Sequence, residues 1–299
     1  MFRKIMSCIK SFIKELQWTV YSHIPNWKGI SKINNNLIVS LTSYPERINE
    51  VILAIKSLLM QSLKPEKIIL WLSPEQFKDK EKSLPKKLLA LKKFGLTIDW
   101  YRDIKSFKKL IPALKKYPNS IIFTTDDDVI YNSRVLKEAF YTHIKYPDFI
   151  ISHRITKFYI EKGIYKDISG GTETYKTPSF LHKLTGVGGV LYPPNCLHKD
   201  VLNEELFMQL CPTNDDIWFW LMGVLNGKKI VIPNHNFIKL TYIGKTQKKS
   251  TLTSINDSKE GLFWKQFYNI LRYYPQIDSA LRKEYETLSI TDNTRSFHK

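Results

Sequence analysis

Long apolar runs are missing from this sequence. No stretch approaches the roughly 18 residues needed to cross a bilayer, so no spanning helix is expected. Cysteine is scarce too: Cys8, Cys196 and Cys211 form no C-x-x-C pair. That argues against a disulfide framework and a zinc knuckle, and favours a reducing compartment. The seven histidines compose no H-E-x-x-H. Acidic side chains are in deficit, with 28 Asp+Glu against 46 Lys+Arg and a net charge of +18. Such a balance favours anionic partners, whether nucleic acid, a phosphorylated small molecule or an acidic membrane leaflet, and does not choose among them. With 43% hydrophobic residues in 299, the chain has ample material for a core, and wholesale disorder is excluded.

From about residue 36, short β-rich runs alternate with helical periods. Leu37–Leu41, Ile68–Leu72, Leu96–Trp100 and Ile121–Thr124 read as buried strands. Between them, Ile48, Val51, Ile52, Ile55, Leu58 and Leu59 mark one face of a helix, and further helices are expected over Leu84–Phe94 and Ser106–Lys116. Ser43 and Glu46 have the spacing of a capping box, with Pro45 tolerated in a first turn. This alternation predicts an α/β fold with a mostly parallel sheet covered on both faces. In such sheets ligands sit beyond the carboxyl ends of the strands, so Thr42–Arg47 and Asp126–Asp128 are expected to share one crevice. The second half is less regular. Phe149–Ser152 and Ile230–Ile232 read as strands, Ile217–Leu225 and Phe263–Tyr274 as helices, and residues 160–185 as a loop excursion. No repeat or low-complexity linker marks a domain boundary.

Asp126-Asp127-Asp128, directly behind an apolar strand, is the strongest chemical signal. Adjacent carboxylates at such a place repel one another and resist desolvation unless something positive neutralises them. A divalent cation does so, and hard oxygen ligands suit Mg²⁺ or Mn²⁺. A solvated acidic turn or a helix cap is the plainer alternative, but one Asp would serve that purpose. Asp215-Asp216 is a second pair, which reads either as acidic residues favoured by a helix N-terminus or as a general base tuned by the apolar Trp218 neighbourhood. Gly188 and Gly189 mark a place where backbone approaches either a ligand or a neighbouring segment of chain. Most lysines read as solvated helix faces. Arg47 and Lys109 abut the expected crevice, where they are candidates to neutralise a diphosphate.

Taken in order, Ser40-Leu41-Thr42-Ser43-Tyr44-Pro45-Glu46-Arg47, Ile52–Gln61, Ile121–Asp128, Gly188-Gly189 and Asn214-Asp215-Asp216 resemble a GT-A-type glycosyltransferase. Order and spacing are similar to family-2-like enzymes that build bacterial surface polysaccharides. The resemblance runs from Leu37 to about Ile232. It implies a GT-A (Rossmann-like) mixed sheet flanked by helices, and a nucleotide-diphosphate sugar donor bound over the first half. On that pattern Thr42, Tyr44 and Arg47 face the nucleotide, Asp103 the base or ribose, Lys109 the phosphates, and Asp126 the ribose. Asp128 reaches the metal, with Asp126 beside it and Asp127 within the same donor-binding element. His235 is the candidate for a late histidine ligand. Asp216, with Asp215 beside it, is then the base that activates a hydroxyl of a glycan or lipid-linked acceptor, with inversion at the anomeric carbon. The implied organisation is a basic N-terminal helix over residues 1–30, a catalytic domain over 31–245 and a helical extension over 246–299.

Two rival classes are set against this reading. A haloacid-dehalogenase-type phosphatase also places D-x-D after a strand, but it needs Thr or Val where this chain has Ile130, and the strand lies in mid-chain. A nucleic-acid binder would explain the charge and the aromatics, yet no such motif appears and the acidic triplet opposes a phosphate backbone, so no nucleic-acid partner is expected. In the first two dozen residues Phe2, Ile5, Met6, Ile9, Phe12, Ile13, Leu16 and Val20 recur at helical spacing, with Arg3, Lys4, Lys10 and Lys14 on the other face. This amphipathic helix either docks on its own domain or lies on an anionic membrane surface. The expected location is accordingly cytoplasmic, with peripheral contact at the inner face of the cell membrane on the second reading.

Overall fold

The computed structural model describes residues 2–20, 28–33, 35–169, 175–237, 239–243 and 261–296. In chain order the elements of the first half are α1 (Phe2–Val20), β1 (Leu37–Thr42), α2 (Val51–Leu59), β2 (Lys67–Leu72), α3 (Lys86–Leu89), β3 (Leu96–Trp100), α4 (Ile111–Lys116), β4 (Ile121–Thr124), β5 (Val129–Ile130) and α5 (Val135–Lys145). The second half adds β6 (Ile150–Ser152), β7 (Ile155–Glu161), β8 (Ile164–Ser169), β9 (His182–Leu184), β10 (Val190–Tyr192), α6 (Glu204–Leu210), α7 (Asp215–Leu225), β11 (Ile230–Val231) and β12 (Thr241–Tyr242), then helices Leu262–Tyr273 and Pro275–Ser296.

Seven strands form the main sheet in the order β11-β6-β10-β4-β1-β2-β3. β1 pairs in parallel with β2 and β4, β2 with β3, and β6 with β11; β10 alone runs antiparallel to its neighbours. This is the mixed, mostly parallel sheet flanked by helices that the alternation predicts. Because successive side chains of a strand point to opposite faces, each strand feeds two cores. Ile38, Ile69 and Ile122 enter one, with Phe158, Trp220 and Phe267. Leu37, Val39, Leu41, Ile68, Leu70 and Phe123 enter the other, against α2 and α5. The last two helices add Ile270, Ile277 and Leu281 to the first core.

Within residues 160–185, expected to be a loop excursion, the end of β7 with β8 and β9 forms a three-stranded antiparallel sheet, β8-β7-β9, while residues 170–174 lie outside the described residues. Its alternation is hidden because β8 is exposed on both faces except at Tyr165. The helix expected over Ser106–Lys116 is broken into a 3₁₀ turn, Lys105–Lys109, and α4, with Pro112 in the first turn of the latter. Leu84–Phe94 likewise divides into α3 and a 3₁₀ turn, Ala90–Phe94. Ser43 and Glu46 do not make a capping box: Pro45–Arg47 is a 3₁₀ turn without a side-chain cap, and the Ser43 hydroxyl is used elsewhere.

Helix α1 docks by one edge. Trp18 meets Phe94 edge-on at 5.0 Å and carries Lys28 Nζ 4.1 Å above its ring. Glu15 pairs with Lys56 at 2.5 Å, and Lys10 Nζ donates to Thr241 Oγ1 at 3.3 Å. No described helix is long and apolar enough to cross a membrane.

At Gly189 the backbone has φ +91° and a Cβ would stand 2.5 Å from the Phe123 ring. Gly189→Ala therefore meets both a left-handed backbone and a filled core. It is expected to lower the unfolding free energy by about 1–3 kcal/mol, the usual cost of overpacking, in denaturant titrations.

Candidate active site

The parallel pairing of β1 with β4 brings their carboxyl ends together, with Ser40 opposite Thr124. Antiparallel β10 enters at the same edge, with Val190 opposite Thr124, so the preceding turn Gly186–Gly188 hangs over the end of β4. The turn Lys105–Lys109 is fastened below by Ser40, whose hydroxyl donates to the Lys109 carbonyl at 2.6 Å and accepts from Trp71 Nε1 at 2.9 Å. Asn214 caps α7 by accepting from Ile217 N. That cap sets Asp215 and Asp216 in the helix's first turn, where the macrodipole favours them.

Two cations hold the carboxylates. Arg47 Nη1 lies 2.9 Å from Asp127 Oδ1 and 3.1 Å from Asp128 Oδ2. Ser43 Oγ donates to the other Asp127 oxygen at 2.6 Å, which is where the expected cap residue is spent. Buried Lys109 places Nζ 2.8 Å from Asp126 Oδ1 and 3.0 Å from Asp215 Oδ2. Burial alone would lower the lysine's pKa, but Asp126, Asp215 and Asp216 outweigh it and hold it well above its ordinary value. Arg47 and Lys109 thus neutralise side chains of the protein itself, a role the sequence reading assigned to a metal for the triplet and did not assign to these two residues.

The neutralisation is incomplete. Burial, with the nearby Asp126 charge, raises the Asp128 carboxyl to about 7 despite Arg47. Burial also raises Asp127. Asp126 and Asp128 therefore offer crowded hard-oxygen donors with negative charge to spare, which fits a divalent cation. No group of three His, Cys, Asp or Glu side chains is assembled for a metal among the described residues. His235 is exposed on a bend after β11.

The acidic pair divides by environment. Asp215 is buried, accepting from Ser106 Oγ at 2.7 Å on one oxygen, while the other lies 3.0 Å from Lys109 Nζ in an ion pair without a hydrogen bond. Asp216 is partly exposed and accepts from the Gly186 N–H at 3.0 Å. Desolvation and then the Asp215 charge raise its pKa above the ordinary carboxylate range, against Lys109 and Lys183. Gly186 is required here: a Cβ would meet Asp216 Oδ1 at 2.7 Å and Lys109 Nζ at 2.9 Å.

The remaining expected residues are placed as follows. Thr42 Oγ1 donates to the Trp71 carbonyl at 2.9 Å, and Tyr44 lies 5.5 Å from the Arg47 guanidinium. Asp103, exposed beyond β3, accepts from Gln76 Nε2 at 2.9 Å and from Lys108. Gly188 and Gly189 back onto Arg154 and Phe123, so the close approach they allow is to this chain's own side chains. Sequence reasoning missed Tyr131, whose buried hydroxyl accepts from the Asp126 N–H at 2.8 Å. It also missed Ser106, Lys183, and the Arg154–Tyr242 hydrogen bond beside Asp126 and Asp128. None of these lies in a motif, although Tyr131 and Ser106 stand within five residues of Asp126 and Lys109.

Comparison with known proteins leaves the family open. No protein-family model matches the sequence, and no curated protein matches it. Among solved structures, S. aureus TarS 1–349 aligns with a TM-score of 0.44 and 14% identity, over 67% of this chain and 58% of that one. The complex of TarS 1–349 with UDP aligns with 0.44 and 13% over the same shares. The complex with UDP-GlcNAc aligns with 0.48 and 14%, over 82% and 70%. The chain thus spans little more than half of the first of these structures.

Since Asp128 has a raised pKa in the folded state, its contribution to stability is present below about pH 4, its ordinary range, and declines as pH rises through about 7. Asp128→Asn is expected to raise the unfolding free energy at neutral pH and to flatten that decline. Lys109→Met should act oppositely, costing about 3–5 kcal/mol at pH 7 by leaving buried carboxylates unpaired. Its deficit should shrink as acid protonates them. Denaturant unfolding at a series of pH values checks both.

Proposed function

We propose that the crevice binds a nucleotide-diphosphate sugar and transfers its sugar to a hydroxyl of a glycan or lipid-linked acceptor in bacterial surface-polysaccharide synthesis, in the manner of a GT-A enzyme. The observation that carries this reading is the convergence, around one buried ammonium group, of the carboxylate that ends β4 and the acidic pair that opens α7. That convergence sets a site for a charged leaving group beside a candidate base, which is the arrangement a displacement at an anomeric carbon requires.

On this reading the donor lies over the carboxyl ends of β1 to β4, with Thr42, Tyr44 and Arg47 beside the nucleotide and Asp103 toward the base or ribose. Asp128 and Asp126 would hold Mg²⁺ or Mn²⁺, and when bound the ion supplies charge stabilisation to the departing diphosphate. Asp216 is the better base of its pair because it is the partly exposed one, with Asp215 occupied by Ser106 and Lys109. Its carboxylate takes the proton of the acceptor hydroxyl as that oxygen bonds to the anomeric carbon. The bond from that carbon to the phosphate oxygen breaks on the opposite face, and the nucleoside diphosphate leaves with the electron pair. The product is inverted. The Gly186 N–H fixes the orientation of the Asp216 carboxylate, and Lys109 keeps it ionised beside Asp215.

A panel of nucleotide sugars, scored by released nucleotide with and without lipid-linked glycans and with added Mn²⁺ or Mg²⁺, tests the reading. Asp216→Asn is expected to leave donor binding intact and to lower turnover about 10²–10⁴-fold, the range of a general base. Asp128→Asn is expected to abolish metal-dependent donor binding. Wild-type transfer by both variants overturns the assignment of roles. The acid limb of kcat/KM should lie above the ordinary Asp value of about 3.9, with activity rising as pH increases through it.

A further inference from the structure

Among the described residues, the cations around the crevice are not all engaged alike. Arg47 meets Asp127 and Asp128, Lys109 meets Asp126 and Asp215, and Arg154 hydrogen-bonds Tyr242 beside the triplet. Lys183 differs from these three. It sits in the middle of β9, opposite Thr156 of β7, and at 8% exposure is nearly but not wholly closed off. Among the described residues no carboxylate lies within ion-pair distance of it; its contact there is the Phe263 ring, 5.7 Å from Nζ.

Its place in the chain sets what it faces. β9 ends at Leu184, and Thr185 then leads into the Gly186 turn, whose N–H donates to Asp216 at 3.0 Å. The Thr185 N–H donates to the Arg154 carbonyl at 3.0 Å, and Gly188 packs on the Arg154 Cβ. Arg154 therefore stands on the triplet side of that turn, through Tyr242. Lys183 stands between Asp216 and the helix Leu262–Tyr273. Burial lowers its pKa; Asp216 opposes this most, ahead of Asp167, while Arg154 adds to the lowering. A buried ammonium group met by carboxylates only at longer range is costly unless an anion reaches it.

The direction of the displacement decides which anion that is. Base and leaving group occupy opposite faces of the anomeric carbon, so a cation grouped with Asp216 lies on the side from which the acceptor arrives. Half-buried Phe263 and Trp264 pack against Phe158 at the same end of the small sheet. They offer flat apolar faces for a sugar ring beside the charge, the usual mixture of a ligand pocket.

We propose that Lys183, with Phe263 and Trp264 beside it, forms an anion subsite on the acceptor side of Asp216, and that the acceptor carries a carboxylate or phosphate near the hydroxyl that reacts. The subsite rests on the transferase reading above, because Asp216 marks the acceptor side only as the base. An ammonium group is a compact point charge with three donors. A neutral sugar in its place would leave that buried charge unmet, and discrimination arises from this penalty.

The test is titration of the full chain with glucose, glucuronate and glucose phosphate, followed by tryptophan fluorescence. The wild-type chain is expected to bind at least one acidic sugar about tenfold or more tightly than glucose, the scale of a charge-assisted hydrogen bond. Lys183→Gln should abolish that difference while leaving glucose binding and the thermal midpoint unchanged, and Lys183→Arg should retain it. UDP, GDP and TDP with Mn²⁺, titrated separately, should bind Lys183→Gln and wild type alike. Equal affinity of the wild-type chain for charged and neutral sugars overturns the proposal, as does a Lys183→Gln variant that keeps the preference. A variant that loses a nucleoside diphosphate together with the acidic sugars assigns the ammonium group to the donor, and the proposal fails. No turnover is needed for these measurements. A chain that shows the charge preference yet transfers from no nucleotide sugar overturns the transferase reading and leaves the anion subsite standing.

Discussion

The Lys109 ammonium group is where the two halves of the molecule meet. It is buried at the end of a turn held by Ser40, and it touches Asp126 from the first half and Asp215 from the second. Without it the sheet edge would carry the acidic triplet and the acidic pair facing one another across a poorly solvated gap. Mutual repulsion would push α7 away from β4, and the crevice would open. A single buried cation thus fixes the spacing between the strand that supplies Asp126 and the helix that supplies Asp216. Arg47 does the same within the first half, tying the turn after β1 to Asp127 and Asp128.

The triplet and the pair respond differently to this arrangement, and the difference is chemical. Asp127 and Asp215 are buried, each holding a serine hydroxyl and lying beside a cation. Asp126 and Asp216 remain partly exposed beside them. Each acidic cluster therefore contains a carboxylate that builds the site and one that faces the crevice. This division explains why adjacent aspartates are tolerated at two places. The crevice-facing member, Asp126 or Asp216, needs solvation or a ligand, whereas Asp127 and Asp215 are met by the fold's own serine and cation. Asp128 lies between the extremes, paired with Arg47 yet raised by burial and by Asp126.

Much of the sheet was legible in the sequence because its strands are buried on both faces and read as unbroken apolar runs, as in Leu37–Leu41 and Ile121–Phe123. The small sheet β8-β7-β9 was illegible for the opposite reason, since one of its strands is nearly all exposed and shows no alternation. In the site, Asp126–Asp128 and Asp215-Asp216 announced themselves by crowding like charges behind apolar sequence. Their partners did not. Ser106, Lys183 and Tyr131 are ordinary residues whose significance comes from the crossing of β1, β4, β10 and α7. Arg47 and Lys109 were visible as cations near the crevice, but whether they face a ligand or the protein's own carboxylates depends on tertiary distances.

Gly186 ties these points together. The turn it occupies is the only described segment whose backbone N–H reaches Asp216, and its missing side chain leaves room for Asp216 Oδ1 and Lys109 Nζ at distances where a Cβ would collide with both. The neighbouring Gly189 supplies a left-handed turn against Phe123 so that β10 can run back beside β4. Gly189 and Gly186 thus perform two separate structural tasks: the first lets the returning strand pack, the second lets a carboxylate and an ammonium group approach the backbone. The crevice depends on chain packing at both places, and any ligand it holds meets side chains already set in position by contacts with one another.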